Sequence, residues 1–129
     1  MKTILSAASV LALIFFASLA SAAEVPFNQG QFDSAKAAGQ PVAVVFHADW
    51  CPTFRAQAPL LTDLAQQPEF APVTLYIANY DTEKGLKKSL RVTKQSTIVV
   101  FKGGKEAARS TGDTQESSSL ASLLRQALT

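Results

Sequence analysis

One thiol and one imidazole are the chemically distinctive side chains of this 129-residue chain, and they lie four residues apart as His47 and Cys51. Cys51 stands in the segment Ala48-Asp49-Trp50-Cys51-Pro52, between an apolar run that ends at Phe46 and a helical pattern that begins at Pro52. A thiol at the start of a helix faces backbone N–H groups and the positive end of the helix dipole, and both favour thiolate over thiol. The chemistry that follows is nucleophilic attack by sulfur. The other reading of the same residues is an inert cysteine packed beside a tryptophan. A lone cysteine forms no internal disulfide and builds no cysteine-rich metal centre within one chain, so no resident metal or cofactor is expected. A Ser-His-Asp triad would have to use His47. The formal charge of +2 and the absence of a basic run argue against nucleic acid as a partner.

The positions around Cys51 have their own candidate roles. His47, at the strand end, either faces the thiol as a proton donor or is a solvated strand-end residue. Asp49 reads as a loop acid or helix cap. Trp50 reads as an apolar wall beside the sulfur and part of a docking surface, or as ordinary packing. Arg55, one turn on, is a candidate electrostatic partner for the thiolate. Lys84, Lys87, Lys88, Arg91 and Lys94 read as a solvated helix face and loop, with docking as the alternative.

The first 23 residues belong to a different pattern. Lys2 precedes an uncharged apolar stretch from Ile4 to Ala17, and small residues at Ala20-Ser21-Ala22-Ala23 fit a cleavage site. This predicts a secretory signal peptide over 1–23 and a domain over 24–129, with cleavage after Ala22 or Ala23. Removing 23 residues leaves 106, enough for one modest core. The expected location is the periplasm or the exterior, with no stable membrane insertion after cleavage. Exported domains normally pair their cysteines, so an unpaired one is a functional flag.

The elements that must hold Cys51 follow from periodicity. Phe27 to Ala38 predicts a helix, and Val42 to Phe46 a strand buried on both faces. Pro52 to Gln66 predicts a helix that Pro59 should bend. Val73 to Ala78 predicts a strand, and Thr82 to Ser89 a short helix capped by Asp81 or Thr82. Thr97 to Phe101 and Lys105 to Thr111 predict two strands joined at Gly103-Gly104. Gln115 to Leu128 predicts an amphipathic helix. The order α-β-α-β-α-β-β-α gives an α/β fold: a central mixed sheet, parallel strands plus a C-terminal hairpin, with helices on both faces.

The run from Pro41 to Leu64, with Trp50-Cys51-Pro52-Thr53-Phe54-Arg55 at its centre, resembles the thioredoxin family. Ala48, Trp50, Cys51, Arg55 and Pro59 match that family's Ala-x-Trp-Cys-x-x-Cys-Lys pattern and the proline beyond it. Ser96 to Gly104 is similar to its following strand and hairpin, and Gly112 to its glycine before the last helix. The resemblance covers nearly all of 24–129 and implies a thioredoxin-like fold, with the site lined by Trp50, Pro52, Thr53, Phe54, Arg55, His47, Ser96 and Thr97. Three departures bear on activity. Phe54 stands where the family has its second, resolving cysteine, so Cys51 can attack but cannot release its partner internally. Ser96 stands where the family has a cis-proline. A cis bond before serine costs about 3 kcal/mol, so a trans bond is expected, with the hydroxyl either donating to Cys51 or satisfying a loop carbonyl. Val45 stands where thioredoxins commonly bury an acid.

Two functions from different classes remain in view. The first is an exported monothiol redox protein, forming a mixed disulfide through Cys51 with a partner protein or small thiol; dithiol reductase activity is disfavoured. The second is a redox-inactive binding module that pairs an extended peptide with the loop near Ser96. A cluster shared by Cys51 of two copies is a remote third reading, and a monomer is expected.

Overall fold

The computed structural model describes residues 21–112 and 116–129. Its elements are β1 (Ala23–Pro26), α1 (Gln29–Ala37), β2 (Val42–His47), α2 (Pro52–Ala65), β3 (Thr74–Asn79), α3 (Lys84–Leu90), β4 (Thr97–Lys102), β5 (Lys105–Thr111) and α4 (Ser117–Arg125), with a 3-10 turn at Pro68–Phe70. The five strands form one sheet in the order β1-β3-β2-β4-β5. β1, β3 and β2 run parallel, while β4 is antiparallel to β2 and β5 antiparallel to β4. The expected mixed sheet with a C-terminal hairpin is therefore present.

β2 lies at the centre, and this is why Val42 to Phe46 reads as an unbroken apolar run: all five side chains are fully buried. Strand alternation divides them between two cores. Ala43 and Val45 pack with Leu61, Leu64, Leu120 and Leu124 of α2 and α4. Val42, Val44 and Phe46 pack on the other face with Phe32 of α1 and Leu86 of α3. α2 is thereby held against the sheet, and its first residue follows the end of β2 by only four loop positions, 48 to 51.

Four elements depart from the expectation by more than one residue. β1 was not foreseen: four residues carrying Glu24 and Pro26 have no strand signature, and their pairing partner, β3, is fifty residues away. α1 begins at Gln29 rather than Phe27. Asn28 caps it by accepting the Gln31 N–H at 2.9 Å, and Phe27 packs on Phe32 with ring centroids 5.5 Å apart, a hydrophobic staple across the cap. α3 begins at Lys84, and neither Asp81 nor Thr82 caps it. Asn79 Oδ1 accepts the N–H groups of both, at 2.9 and 3.2 Å, and so holds them in a turn. α4 spans Ser117–Arg125, with Glu116 as its N-cap, and ends three residues before Leu128; Gln115 lies outside the described residues. α2 runs continuously through Pro59.

Of the segment expected to be a signal peptide, residues 1–20 lie outside the described residues. Ala22 is buried and its N–H donates to the Ala65 carbonyl at 2.7 Å, and Ala23 opens β1 opposite Thr74.

Candidate functional site

Cys51 is the N-cap residue of α2, in extended backbone conformation, with Pro52 in the first helical position. Proline suits that position because its missing N–H has no acceptor to lose there. The Cys51 N–H donates to Ala48 O at 3.0 Å and its carbonyl accepts the Arg55 N–H at 3.1 Å, so both main-chain groups are fixed. The residue is 3% exposed.

The sulfur lies against four donors. Burial is the largest single influence on the thiol and raises its pKa, yet the net displacement is downward from the ordinary 9.0. The backbone N–H of Phe54, the Ser96 hydroxyl, the backbone N–H of Thr53 and the Gln95 side chain together outweigh burial. The Ser96 hydroxyl donates to Sγ at 3.6 Å. The two amides reach the sulfur at longer range than a full side-chain cap hydrogen bond. All four favour the charged form, because a thiolate accepts and a thiol largely does not.

Ser96 is held as tightly as Cys51. No peptide bond among the described residues is cis, so the bond before Ser96 is trans, as expected. Its φ of 62° is left-handed, a region that costs a non-glycine residue about 1 kcal/mol or more. Its N–H donates to Phe46 O at 3.1 Å, and its carbonyl accepts the Gln57 side-chain amide at 3.5 Å. Gly112 backs the same loop: its φ is 99°, and a Cβ there would lie 2.5 Å from Gln95 O.

The remaining expected residues divide into those at the sulfur and those beside it. Thr53 and Phe54 contribute through their main chain. The Phe54 ring meets the His47 ring edge-on at 4.6 Å and lines a cavity of about 190 Å³ with Val45, Leu61, Ile77 and Glu24. His47 pairs through Nε2 with Asp49 and is not among the groups bonded to the sulfur. Arg55 is exposed and likewise absent from the influences on the thiol. Pro52 is exposed, and Thr97 is buried with its hydroxyl on Lys94 O at 2.6 Å. Trp50 is 56% exposed and is held at the rim by its indole N–H, which donates to Asp81 at 2.8 Å.

Sequence reasoning missed Gln95 and Gln57. A polar residue in a loop and a glutamine inside an amphipathic helix carry no signal of their own. Their neighbours do: Gln95 precedes Ser96, and Gln57 lies six residues beyond Cys51, where its fully buried position faces the loop rather than solvent.

The fold has parallels among known proteins. The family model described as thioredoxin matches residues 23–126. Thioredoxin-2 of Saccharomyces cerevisiae is 31% identical over 86 residues, covering 66% of this chain and 81% of that protein. Thioredoxin of Chlamydia pneumoniae is 37% identical over 81 residues, covering 63% and 76%. Among solved structures, Trxlp from Edwardsiella tarda superposes with a TM-score of 0.76 at 35% identity, over 79% of this chain and 98% of that one. Since the family match spans every described strand and helix and well over half of the sequence, the chain belongs to the thioredoxin family.

Proposed function

We propose that this chain is an exported thioredoxin-type thiol-redox protein that works through Cys51 alone. The observation that carries the reading is the donor set on the sulfur: two amides of the α2 N-terminus, the Ser96 hydroxyl and the Gln95 side chain, holding the thiol below its ordinary pKa. An inert packed cysteine has no use for donors that outweigh its burial. The Cys51 thiolate attacks one sulfur of a disulfide. A bond forms between them, the original S–S bond breaks, and the second sulfur leaves as a thiolate. Phe54 replaces the resolving thiol, so a thiol from outside completes the exchange. The partner on this reading is a thiol- or disulfide-bearing protein or small molecule.

The segment 1–23 supports export to the periplasm or beyond. Cleavage after Ala22 leaves β1 whole, and cleavage after Ala23 takes its first residue. The N–H and carbonyl of Ser96 are already bonded to Phe46 and Gln57, which counts against strand addition at Ser96 itself.

The test uses wild type and Phe54→Cys with a small disulfide, followed by intact mass and insulin turbidity. Wild type should carry one stable adduct on Cys51 and leave insulin soluble. Phe54→Cys should shed the adduct as its second thiol displaces it into an internal disulfide and, with dithiothreitol supplied at a level that alone leaves insulin soluble to reduce that disulfide, should precipitate insulin, since residues three apart on a helix lie within disulfide reach. A folded wild type that gains no adduct would overturn the reading.

A further inference from the structure

The residues from Lys84 to Arg109 include eight cations and a single acid, Glu106. Where α3 ends, three of these cations, Arg91, Lys94 and Arg109, line a cavity of about 130 Å³ together with Thr93, Thr97 and Thr111. Arg109 is charge-matched: it pairs with Glu106, and it also donates to Leu90 O at 2.8 Å and Arg91 O at 3.3 Å. Those two bonds tie β5 to the end of α3 and fix Arg91 in its left-handed turn, φ 55°. Arg91 and Lys94 have no side-chain partner among the described residues, and both are exposed. The cavity therefore offers two unmatched cations and the hydroxyls of Thr93 and Thr111 in a space of a few water volumes, the Thr97 hydroxyl being bonded to Lys94 O.

Its position gives it meaning. Lys94, Gln95, Ser96 and Thr97 are consecutive. The middle two bond to the Cys51 sulfur, and the outer two line the cavity. Successive Cα atoms are about 3.8 Å apart, so the cavity-lining Lys94 and Thr97 each adjoin in the chain a residue that bonds to the sulfur. Both are built on one loop, pinned by the Ser96–Phe46 hydrogen bond and backed by Gly112.

We propose that this cavity is the anion subsite of Cys51 and takes a carboxylate of a small disulfide substrate. The proposal rests on the redox reading of Cys51 and names its substrate class. A disulfide built from cysteine carries carboxylates a few bonds from sulfur, which suits a subsite on the same loop as the sulfur's donors. The 3% exposure of Cys51 and the internally satisfied backbone of Ser96 favour a small molecule over an extended chain. In the step, the thiolate attacks the near sulfur of the disulfide, the S–S bond breaks, and the far half departs as a thiolate. The bound carboxylate stays in the cavity and is not consumed.

The experiment compares exchange rates with 3,3′-dithiodipropionate, bis(2-hydroxyethyl) disulfide and cystamine, each divided by its rate with free 2-mercaptoethanol. Wild type should favour the anionic disulfide over the neutral one by about fivefold per unmatched cation, with cystamine slowest, and the preference should shrink with salt. Lys94→Gln and Arg91→Gln should each return the anionic-to-neutral ratio toward that of the free thiol. A second measurement follows amide NMR shifts when Cys51→Ser protein is titrated with N-acetylaspartate. Shifts centred on residues 91–97 and 111, and lost in Lys94→Gln, support the subsite. Adduct formation without charge preference or shifts overturns the subsite and leaves Cys51 as the nucleophile. A folded but inert Cys51 overturns the redox reading instead, and absent shifts then overturn the anion cavity as well.

Discussion

Replacing Ser96 by alanine separates the donor set from the fold. Alanine keeps the backbone N–H that bonds Phe46 and adopts φ 62° at much the same cost as serine, so stability should change little. What disappears is the hydroxyl 3.6 Å from the sulfur. A hydrogen bond to a charged acceptor contributes about 1.5 kcal/mol at the low end, which is about tenfold in the thiol–thiolate equilibrium. A more basic thiolate is also a better nucleophile, with a Brønsted coefficient of about 0.4–0.5, which returns about threefold. The rate of reaction with 2,2′-dithiodipyridine, followed by absorbance across pH, should therefore show a crossing. Below the thiol pKa the variant should react about threefold more slowly than wild type. Above it, where both are fully ionised, the variant should react about threefold faster. Superimposed profiles, or a uniform slowing at every pH, would refute the idea that Ser96 stabilises the thiolate.

Three further outcomes follow from the same loop. Ser96→Pro, which restores the residue that the family resemblance leads one to expect, should destabilise by about 3 kcal/mol or more, seen as a lowered urea midpoint; proline needs φ near −65° and has no N–H for Phe46. Gly112→Ala should cost about 2 kcal/mol and slow Cys51 alkylation, because its Cβ meets Gln95 O at 2.5 Å and the loop must move; an unchanged alkylation rate would mean that the loop does not position the donors. The third concerns pH. The folded thiol lies below its ordinary 9.0, so between the two values the unfolded chain binds more protons and stability rises with pH. That contribution is present in full above 9.0 and is lost as pH falls through the folded value. The urea-unfolding free energy of wild type minus that of Cys51→Ala should thus increase toward pH 9, by at most about 1.4 kcal/mol per pH unit; a decrease would show that burial wins over the donors.

Local patterns made most of the fold legible. Val42 to Phe46 could only be a strand covered on both sides, and Leu120 and Leu124 mark the face that α4 buries. The hairpin at Gly103-Gly104 is visible because both glycines take the left-handed conformation the turn requires, at φ 59° and 79°. β1 was invisible, since its stability comes from pairing with a strand fifty residues away rather than from its own four residues. The start of α3 was misplaced because Asn79, a residue of the preceding strand, draws the N–H groups of Asp81 and Thr82 into its own turn.

The site divides along the same line. The sequence alone determined that there is one thiol, that it begins a helix after a buried strand, and that Phe54 rather than a second cysteine follows three residues later. These are facts of residue type and short spacing. Only the tertiary structure decided which groups surround the sulfur. Ser96 and Gln95 reach Cys51 across 45 and 44 residues, through the pairing of β2 with β4, whereas His47 and Arg55, close in sequence, are not among the sulfur's partners. Proximity along the chain sets what can be near. The sheet register, which turns alternate side chains to opposite faces and brings the loop before β4 over the end of β2, sets what touches.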